Sequence, residues 1–163
     1  LDLLNVILGE GMSSRLFTEI RDKLGLAYSI HSSVDHCLDS GAVTIYAGVE
    51  PKNLSTAINA VLEQLAQLKE LIPESELSKA KELAKGRLLL RMEDSHNVVS
   101  WMGGQEILSG RILTVDQVVS IVDAITADEL KQLARELLVG DRLRLAIVGP
   151  VTEDESLVGL LKL

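Results

Sequence analysis

The spacing of apolar residues changes at Leu26 from the period of a helix to the period of a strand. Two runs of alternating apolar and polar residues, 26–34 and 43–49, flank a turn at residues 38–41. The Asp, Ser and Gly of that turn favour chain reversal, so the pattern predicts an antiparallel hairpin. The first run is expected to carry Leu26, Tyr28, Ile30 and Val34 on its apolar face and Ala27, Ser29, His31 and Ser33 on its polar face.

Helical periods dominate both sides of this hairpin. Two helices are predicted before it, over residues 1–8 and 14–23, with Ser13 or Ser14 capping the second and Gly25 ending it. The elements predicted after it are helices near 54–72, 74–93, 96–108 and 156–163, two short helices opening with capping boxes at Thr114–Gln117 and Thr126–Glu129, and a last strand over 143–147. This order predicts an α+β fold in which an antiparallel sheet packs against several helices.

The chain begins inside an apolar run, at Leu1 rather than Met, with no residue before it to cap a helix. Three predicted strands also make a thin sheet for so many helices. Both features lead us to expect one domain over residues 1–163 that is truncated at its N-terminus and lacks its first strand. A domain of this size buries about 70% of the surface of its unfolded chain, which is enough for a core.

Charge and composition exclude several classes of function. The formal net charge is −8, whereas contacts to nucleic acid or an anionic membrane surface need clustered Lys and Arg. No apolar run approaches the roughly 20 residues of a membrane-spanning helix. Cys37 is the only cysteine, so no intrachain disulfide can form and a reducing compartment is the simpler expectation. We therefore expect a soluble, cytoplasmic protein that binds neither nucleic acid nor membranes.

Three familiar motifs are incomplete in this chain. The glycines at 9 and 11 resemble a dinucleotide fingerprint, but that loop must follow a strand, and the preceding run is better helical. The histidines at 31, 36 and 96 form neither of the helical zinc motifs, so no metal site is predicted here. No G-x-S-x-G elbow exposes a serine nucleophile, and nothing nearby would activate the thiol of Cys37.

Arg21 and Tyr28 form a candidate binding pair. Arg21 would end a helix, Gly25 would turn the chain and Tyr28 would begin a strand, so a guanidinium and a phenol could meet in one cavity. Two such donors can hold a peptide carbonyl and neutralise charge that forms on it. The alternative is structural: Arg21 pairs with Glu19 or Asp22, and Tyr28 joins the apolar strand face. On spacing alone the structural alternative is the stronger.

A longer motif contains both residues. Residues 9–29 read Gly-Glu-Gly-Met-Ser-Ser-Arg-Leu-Phe-Thr-Glu-Ile-Arg-Asp-Lys-Leu-Gly-Leu-Ala-Tyr-Ser. This run closely resembles the second-half signature of the pitrilysin family of zinc peptidases, which includes insulin-degrading enzyme, mitochondrial processing peptidase and bacterial processing proteases. The segments 86–95, 103–105 and 145–150 resemble the same family, so the likeness extends over nearly the whole chain.

The resemblance implies a C-terminal half-domain that faces a similar zinc-bearing half across a closed chamber for unfolded peptides. Arg21 and Tyr28 match the family's substrate-contacting pair and become the proposed binding residues. The loop residues expected to support them are Gly9, Gly11, Ser13, Ser14 and Gly25. No zinc ligand or catalytic base is implied in this chain. The implied partners are the zinc-bearing half, a peptide substrate and a second copy in a homodimer of bacterial origin.

Two other functions stay open on the sequence. The same fold could serve as a noncatalytic structural subunit, as in the core proteins of respiratory complexes. An unrelated small-molecule binding domain is the third interpretation, since any large apolar pocket is a candidate site. An intact or degenerate H-x-x-E-H motif in the remainder of the protein would distinguish the first two functions.

Overall fold

A computed structural model of the chain describes residues 1–150 and 155–163. Its helices and strands are α1 (Asp2–Gly9), a π-helix (Phe17–Lys23), β1 (Ala27–His36), β2 (Gly41–Val49), α2 (Leu54–Glu70), α3 (Glu74–Arg91), α4 (Ser95–Ser109), α5 (Val115–Ala124), α6 (Ala127–Leu137) and α7 (Glu155–Leu160). Short 3₁₀ turns occupy Pro51–Asn53 and Gly140–Arg142. The predicted α+β fold with an antiparallel pair of strands is confirmed.

The core forms where α1 meets β1 and α3. Residues 3–9 of α1 are all buried, since this helix lies between the inner face of the hairpin and the long helices. The side chains most completely removed from solvent are Leu8, Leu16, Ile20 and Leu68. Leu16 and Ile20 are four residues apart, one at each end of a single turn, and they anchor the second helix to this core.

The second helix is present but winds differently from the prediction. Its first residues are α-helical, and from Phe17 to Lys23 it is a π-helix, closed by the N–H of Leu24 donating to the carbonyl of Glu19 at 3.0 Å. No side chain caps its N-terminus. Ser14 instead donates its hydroxyl to the carbonyl of Gly11 at 2.7 Å, which tightens the preceding loop.

A bulge in β1 reverses the predicted faces of Ala27 and Tyr28, whereas Ile30 faces the core and His31 and Ser33 face outward as predicted. Ala27 pairs with Val49 and Ser29 pairs with Gly48, so Tyr28 is an extra residue without a partner in β2. A bulged residue and its successor share one side of the sheet, and the alternation resumes beyond them. Ala27 is therefore buried, and Tyr28 points outward instead of joining the apolar face.

Both predicted capping boxes are confirmed. In the first, the N–H of Gln117 donates to the Thr114 hydroxyl at 3.2 Å, and the Thr114 N–H donates to the Gln117 side chain at 2.9 Å. In the second, Thr126 and Glu129 exchange the equivalent bonds. The backbone N–H and then the hydroxyl of Thr126 lower the pKa of the Glu129 carboxyl. The hydrogen bonds from Thr126 to the ionised Glu129 carboxylate therefore stabilise the fold at neutral pH. This stabilisation is lost as the pH falls through the lowered pKa of Glu129.

The predicted last strand does not form. Residues 143–148 belong to neither strand of the sheet and include no helix. A strand needs a hydrogen-bonding neighbour, and the described residues offer none beside this segment. The terminal helix is present as α7. Among the described helices, none has the length and apolar character that crossing a bilayer requires.

Arg15 ties the second helix to the connection between α2 and α3. Its Nε and Nη2 atoms donate to the Glu76 carboxylate at 3.0 and 2.7 Å, and Nη2 also donates to the carbonyl of Leu71 at 2.6 Å. Only 10% of the arginine side chain is exposed. A charged group this well enclosed relies on its partners, so we regard Arg15 as a structural residue.

Replacing Gly9 by Ala should destabilise the domain. A Cβ at Gly9 would lie 2.6 Å from the backbone nitrogen of Ser32, and a strand backbone cannot yield as a side chain can. We expect a loss of about 1–3 kcal/mol in unfolding free energy, measured by urea denaturation. Gly86→Ala is the matched control, since it lies inside α3 with open space around its Cβ and should stabilise by about 0.5–1 kcal/mol. Equal effects from the two substitutions would contradict the packing argument.

The Arg15–Glu76 pair should show strong coupling in a double-mutant cycle. Arg15→Ala alone should lower the unfolding free energy by about 2–3 kcal/mol, because three charge-assisted hydrogen bonds disappear. Combined with Glu76→Ala, the coupling energy should be about 1–2 kcal/mol. The control cycle is Arg135 with Glu70, a solvent-exposed pair at 3.7 Å whose coupling should be under about 0.5 kcal/mol. Similar coupling energies in both cycles would refute the stronger stabilising role that we assign to the enclosed Arg15–Glu76 pair.

Candidate functional site

The structure brings Arg21 and Tyr28 together at the junction between the π-helix and β1. Gly25 has a φ of +61°, a left-handed conformation that glycine adopts easily, and it turns the chain after the helix. The N–H of Leu26 donates to the carbonyl of Ile20 at 2.9 Å and fixes this turn. The bulge then directs Tyr28 outward, and the guanidinium carbon of Arg21 lies 5.9 Å from the centre of the Tyr28 ring.

Phe17 completes this cluster, a role that was not predicted from the sequence. The guanidinium carbon of Arg21 lies over the Phe17 ring, 4.6 Å from its centre. Both distances fall within the range of cation–π attraction. The four-residue spacing of Phe17 and Arg21 on a predicted helix was a usable signal for this contact. Two aromatic rings therefore lie within cation–π range of the guanidinium of Arg21.

The alternative structural roles for Arg21 and Tyr28 are absent from the described part of the chain. Glu19 pairs with Lys23 at 2.5 Å, and no carboxylate of a described residue forms an ion pair with Arg21. Tyr28 has 88% of its surface exposed, so it is not a core residue. The site thus presents guanidinium N–H groups and a phenol O–H to solvent, and these can donate hydrogen bonds to a carbonyl or an oxyanion.

The loop predicted to support the pair has distinct tasks at each position. Gly9 lets the end of α1 approach the backbone of Ser32, as described above. Gly11 has a φ of +100°, a conformation strained for other residues, and its carbonyl accepts the buried Ser14 hydroxyl. Ser13 is exposed on the loop surface. The loop and the turn at Gly25 position the two ends of the second helix.

A chain of polar contacts runs beside this loop, with Asn5 and Ser32 buried and Glu10 and Arg87 nearer the surface. The Ser32 hydroxyl donates to the Asn5 side-chain oxygen at 2.6 Å, and the Asn5 amide donates to Glu10 at 3.4 Å. Glu10 in turn forms an ion pair with Arg87 of α3. Glu10 therefore links α1, β1 and α3.

A second pair of rings lies on the same outer face of the hairpin. His31 and Tyr46 face each other across the two strands, with ring centres 5.2 Å apart and ring planes tilted by 32°. Both side chains are exposed. The chain has one Phe, two Tyr and one Trp, and three of these four residues belong to the clusters around Arg21 and His31. Neither His31 nor Tyr46 belongs to a motif that predicts a function from the sequence.

The remaining polar candidates do not assemble into a metal site. His36 meets Asp2 at 2.8 Å with both side chains exposed, and the thiol of Cys37 is also exposed. Within residues 1–150 and 155–163, no three His, Cys, Asp or Glu side chains come close enough to hold a metal ion. The residues described here therefore do not fit a zinc ion, and we assign no chemical step to a metal held by this chain.

Sequence comparison identifies relatives of this chain. The family model described as the peptidase M16 inactive domain matches residues 1–84. The chain is 38% identical over 149 residues to the uncharacterized zinc protease YmxG of Bacillus subtilis, covering 91% of this chain and 36% of that protein. An uncharacterized zinc protease of Mycobacterium leprae is 35% identical over 158 residues, covering 96% and 35%. The chain thus spans about a third of the length of these relatives.

Structural comparison gives the same fold. A peptidase M16 inactive domain from Pseudomonas fluorescens matches 83% of this chain and 32% of that chain, with a TM-score of 0.75 and 22% identity. A chain of Complex III2 from Candida albicans matches 83% and 34%, with a TM-score of 0.73 and 19% identity. At these identities the likeness establishes the fold alone. Together with the family match over more than half of its residues, it shows that this chain belongs to the M16 peptidase family, as its inactive domain.

Proposed function

We propose that this chain is the substrate-binding, zinc-free half of a zinc metalloendopeptidase that cleaves unfolded peptides or presequences inside a closed chamber. The observation that carries the proposal is the convergence of Arg21 and Tyr28, exposed and close to each other, in the inactive domain of a peptidase family. The relatives named as zinc proteases are about three times longer, which leaves room for a second half. Residues 1–163 would form one C-terminal half-domain of such a protein.

In this proposal the two side chains act on the carbonyl of the scissile peptide bond. Arg21 supplies guanidinium N–H donors, and Tyr28 supplies a phenol O–H donor. Hydrogen bonds from both side chains would strengthen as negative charge develops on the carbonyl oxygen. Because these bonds are stronger in the transition state than in the bound substrate, they lower the activation free energy of hydrolysis. No carboxylate of the described residues forms an ion pair with Arg21, so no such ion pair has to break before the guanidinium binds the substrate.

The reactive water belongs to the other half of the protein. Zinc bound there would supply an activated water, and this chain would contribute binding and charge stabilisation only. The partners we propose are therefore the zinc-bearing half, the peptide and a second copy in a homodimer. A bacterial cytoplasmic location is part of the proposal, because the exposed thiol of Cys37 suits a reducing compartment.

A noncatalytic structural subunit is the second candidate function. The observation in its favour is the shared fold with a chain of Complex III2. The sequence of the complete protein discriminates between the two: an intact H-x-x-E-H motif in the other half supports the peptidase, and a degenerate one supports the scaffold.

Removing either donor should slow peptide cleavage by the complete protein. We expect Arg21→Ala and Tyr28→Phe each to lower kcat by about 100-fold, because each removes a hydrogen bond that is strongest in the transition state. The measurement is the steady-state cleavage of an unstructured, internally quenched peptide. Arg21→Lys should recover only part of the loss, since an ammonium lacks the planar fork of donors.

Stability measurements separate a lost function from a lost fold. Arg21 and Tyr28 are exposed, so Tyr28→Phe, which keeps the ring, should change the unfolding free energy by less than about 0.5 kcal/mol. Arg21→Ala should lower it by no more than about 0.5–1 kcal/mol for each cation–π contact that it removes. Arg111→Ala, which removes an exposed arginine from the connection between α4 and α5, is the control and should cleave at the wild-type rate. Wild-type cleavage by Arg21→Ala and Tyr28→Phe would refute the assigned roles.

A further inference from the structure

Helix α4 carries apolar side chains on two opposite sides. Val98 and Trp101 are half-buried on one side, whereas Val99 and Ile107 lie on the other and are 70% and 78% exposed. None of the 15 residues of α4, all of which the structure describes, is buried. A helix that is apolar all round usually lies inside a protein. The described residues therefore partly cover one side of α4 and leave the other side open.

The open side of α4 is almost free of charge. The sequence has no Asp, Glu, Lys or Arg from residue 95 through residue 105, and Glu106 is the only charged residue of this helix. The whole chain has a formal net charge of −8, so two copies repel each other where their acidic surfaces meet. An uncharged apolar surface is one that a second copy can approach without that repulsion.

Gly103 lies in the middle of the open side. Val99, Gly103 and Ile107 follow one another at intervals of four residues and so form one row along the helix. A Cβ at Gly103 would meet no atom of the described residues within 4 Å, and its φ is not positive. Neither packing nor backbone conformation thus requires glycine here, although glycine weakens a helix interior relative to alanine. The row has a notch between two apolar side chains, where a second helix can come close.

We propose that the open side of α4 is the contact between two copies of this chain, with the two helices antiparallel and crossing at Gly103. The inference rests on the proposed function for the homodimer named there, and it adds the surface that forms it. About a two-fold axis at Gly103, Val99 of each copy faces Ile107 of the other. Glu106 then lies opposite Ser100 of the second copy, whose hydroxyl can donate to it, so no carboxylate of α4 meets another.

The contact must extend beyond α4. A standard interface buries about 800 Å² on each partner, which is more than one face of a short helix supplies. The chain on both sides of α4 provides exposed apolar side chains for this purpose: Leu89 and Leu90 in the last turn of α3, and Ile112 after α4. Extended apolar surface of this kind is typical of interaction sites on soluble proteins.

The first test measures the dimerisation of the complete protein by sedimentation equilibrium. We expect a dimer for the wild type, and Ile107→Glu should raise its Kd by at least about 100-fold, because two carboxylates would be buried without partners. Ile121→Glu is the matched control, since it makes the same substitution at an exposed position of α5 and should leave the Kd within about twofold. Circular dichroism checks that both variants fold. If Ile107→Glu does not fold, the following crosslinks carry the test.

Engineered cysteines test the antiparallel arrangement. Gly103→Cys places two thiols at the crossing, where a disulfide requires Cα atoms about 4.4–6.8 Å apart. Ser95→Cys is the control, because residue 95 is eight positions away and the two thiols of an antiparallel pair would be about 24 Å apart. Both variants are made with Cys37 and any other cysteine of the complete protein replaced by serine. After mild oxidation, Gly103→Cys should give at least about tenfold more covalent dimer than Ser95→Cys on non-reducing electrophoresis.

The outcomes separate this inference from the proposed peptidase. A monomeric wild type overturns the contact between copies and leaves the rest of the polypeptide to cover α4. A dimer that folded Ile107→Glu leaves intact also overturns it, and crosslinking at residue 95 in preference to residue 103 overturns the antiparallel arrangement. None of these measurements depends on cleavage. A wild-type protein that dimerises through α4 but cleaves no peptide therefore supports this inference and counts against the proposed peptidase alone.

Discussion

One extra residue in β1 determines which surface this domain presents. Without the bulge, the strict alternation of the strand would direct Tyr28 inward with Ile30, and Arg21 would face a surface without this ring. With it, Ala27 remains in the core and Tyr28 is exposed beside Arg21. Bulges commonly redirect a side chain next to a functional site. The position of Tyr28 beside Arg21 follows from this single irregularity.

The regular elements were predictable from the sequence because local chemistry fixes them. The capping boxes at Thr114 and Thr126, the turn between the strands and the end of the second helix at Gly25 each depend on residues a few positions apart. The failures concern interactions that local periodicity cannot encode. A bulge depends on the pairing of β1 with β2, and residues 143–148 needed a neighbouring strand that no local pattern reveals.

The candidate site was predictable only in part. Spacing placed Arg21 and Tyr28 near one junction but favoured a buried tyrosine, and it was the family resemblance that raised their functional role. Phe17 was missed although its distance from Arg21 fits a helical contact, and His31 with Tyr46 was missed because cross-strand neighbours require a known register. The motif also does not reveal which of its arginines is structural and which is available for binding. Only the tertiary contacts distinguish Arg15 from Arg21.

The energetics of these two arginines and of Tyr28 support a division between structure and binding. Arg15 is enclosed and gives all its identified hydrogen bonds to Glu76 and Leu71, so it stabilises the fold. Exposing a large apolar side chain forgoes roughly 1.5–3 kcal/mol of burial, and a surface cation–π contact returns only about 0.5–1 kcal/mol. Tyr28 and Arg21 therefore contribute little to the stability of the domain, while the bulge and the left-handed turn at Gly25 keep them in position. Residues held in place at such a cost to stability are expected where a surface meets a ligand, which is the role we propose for them.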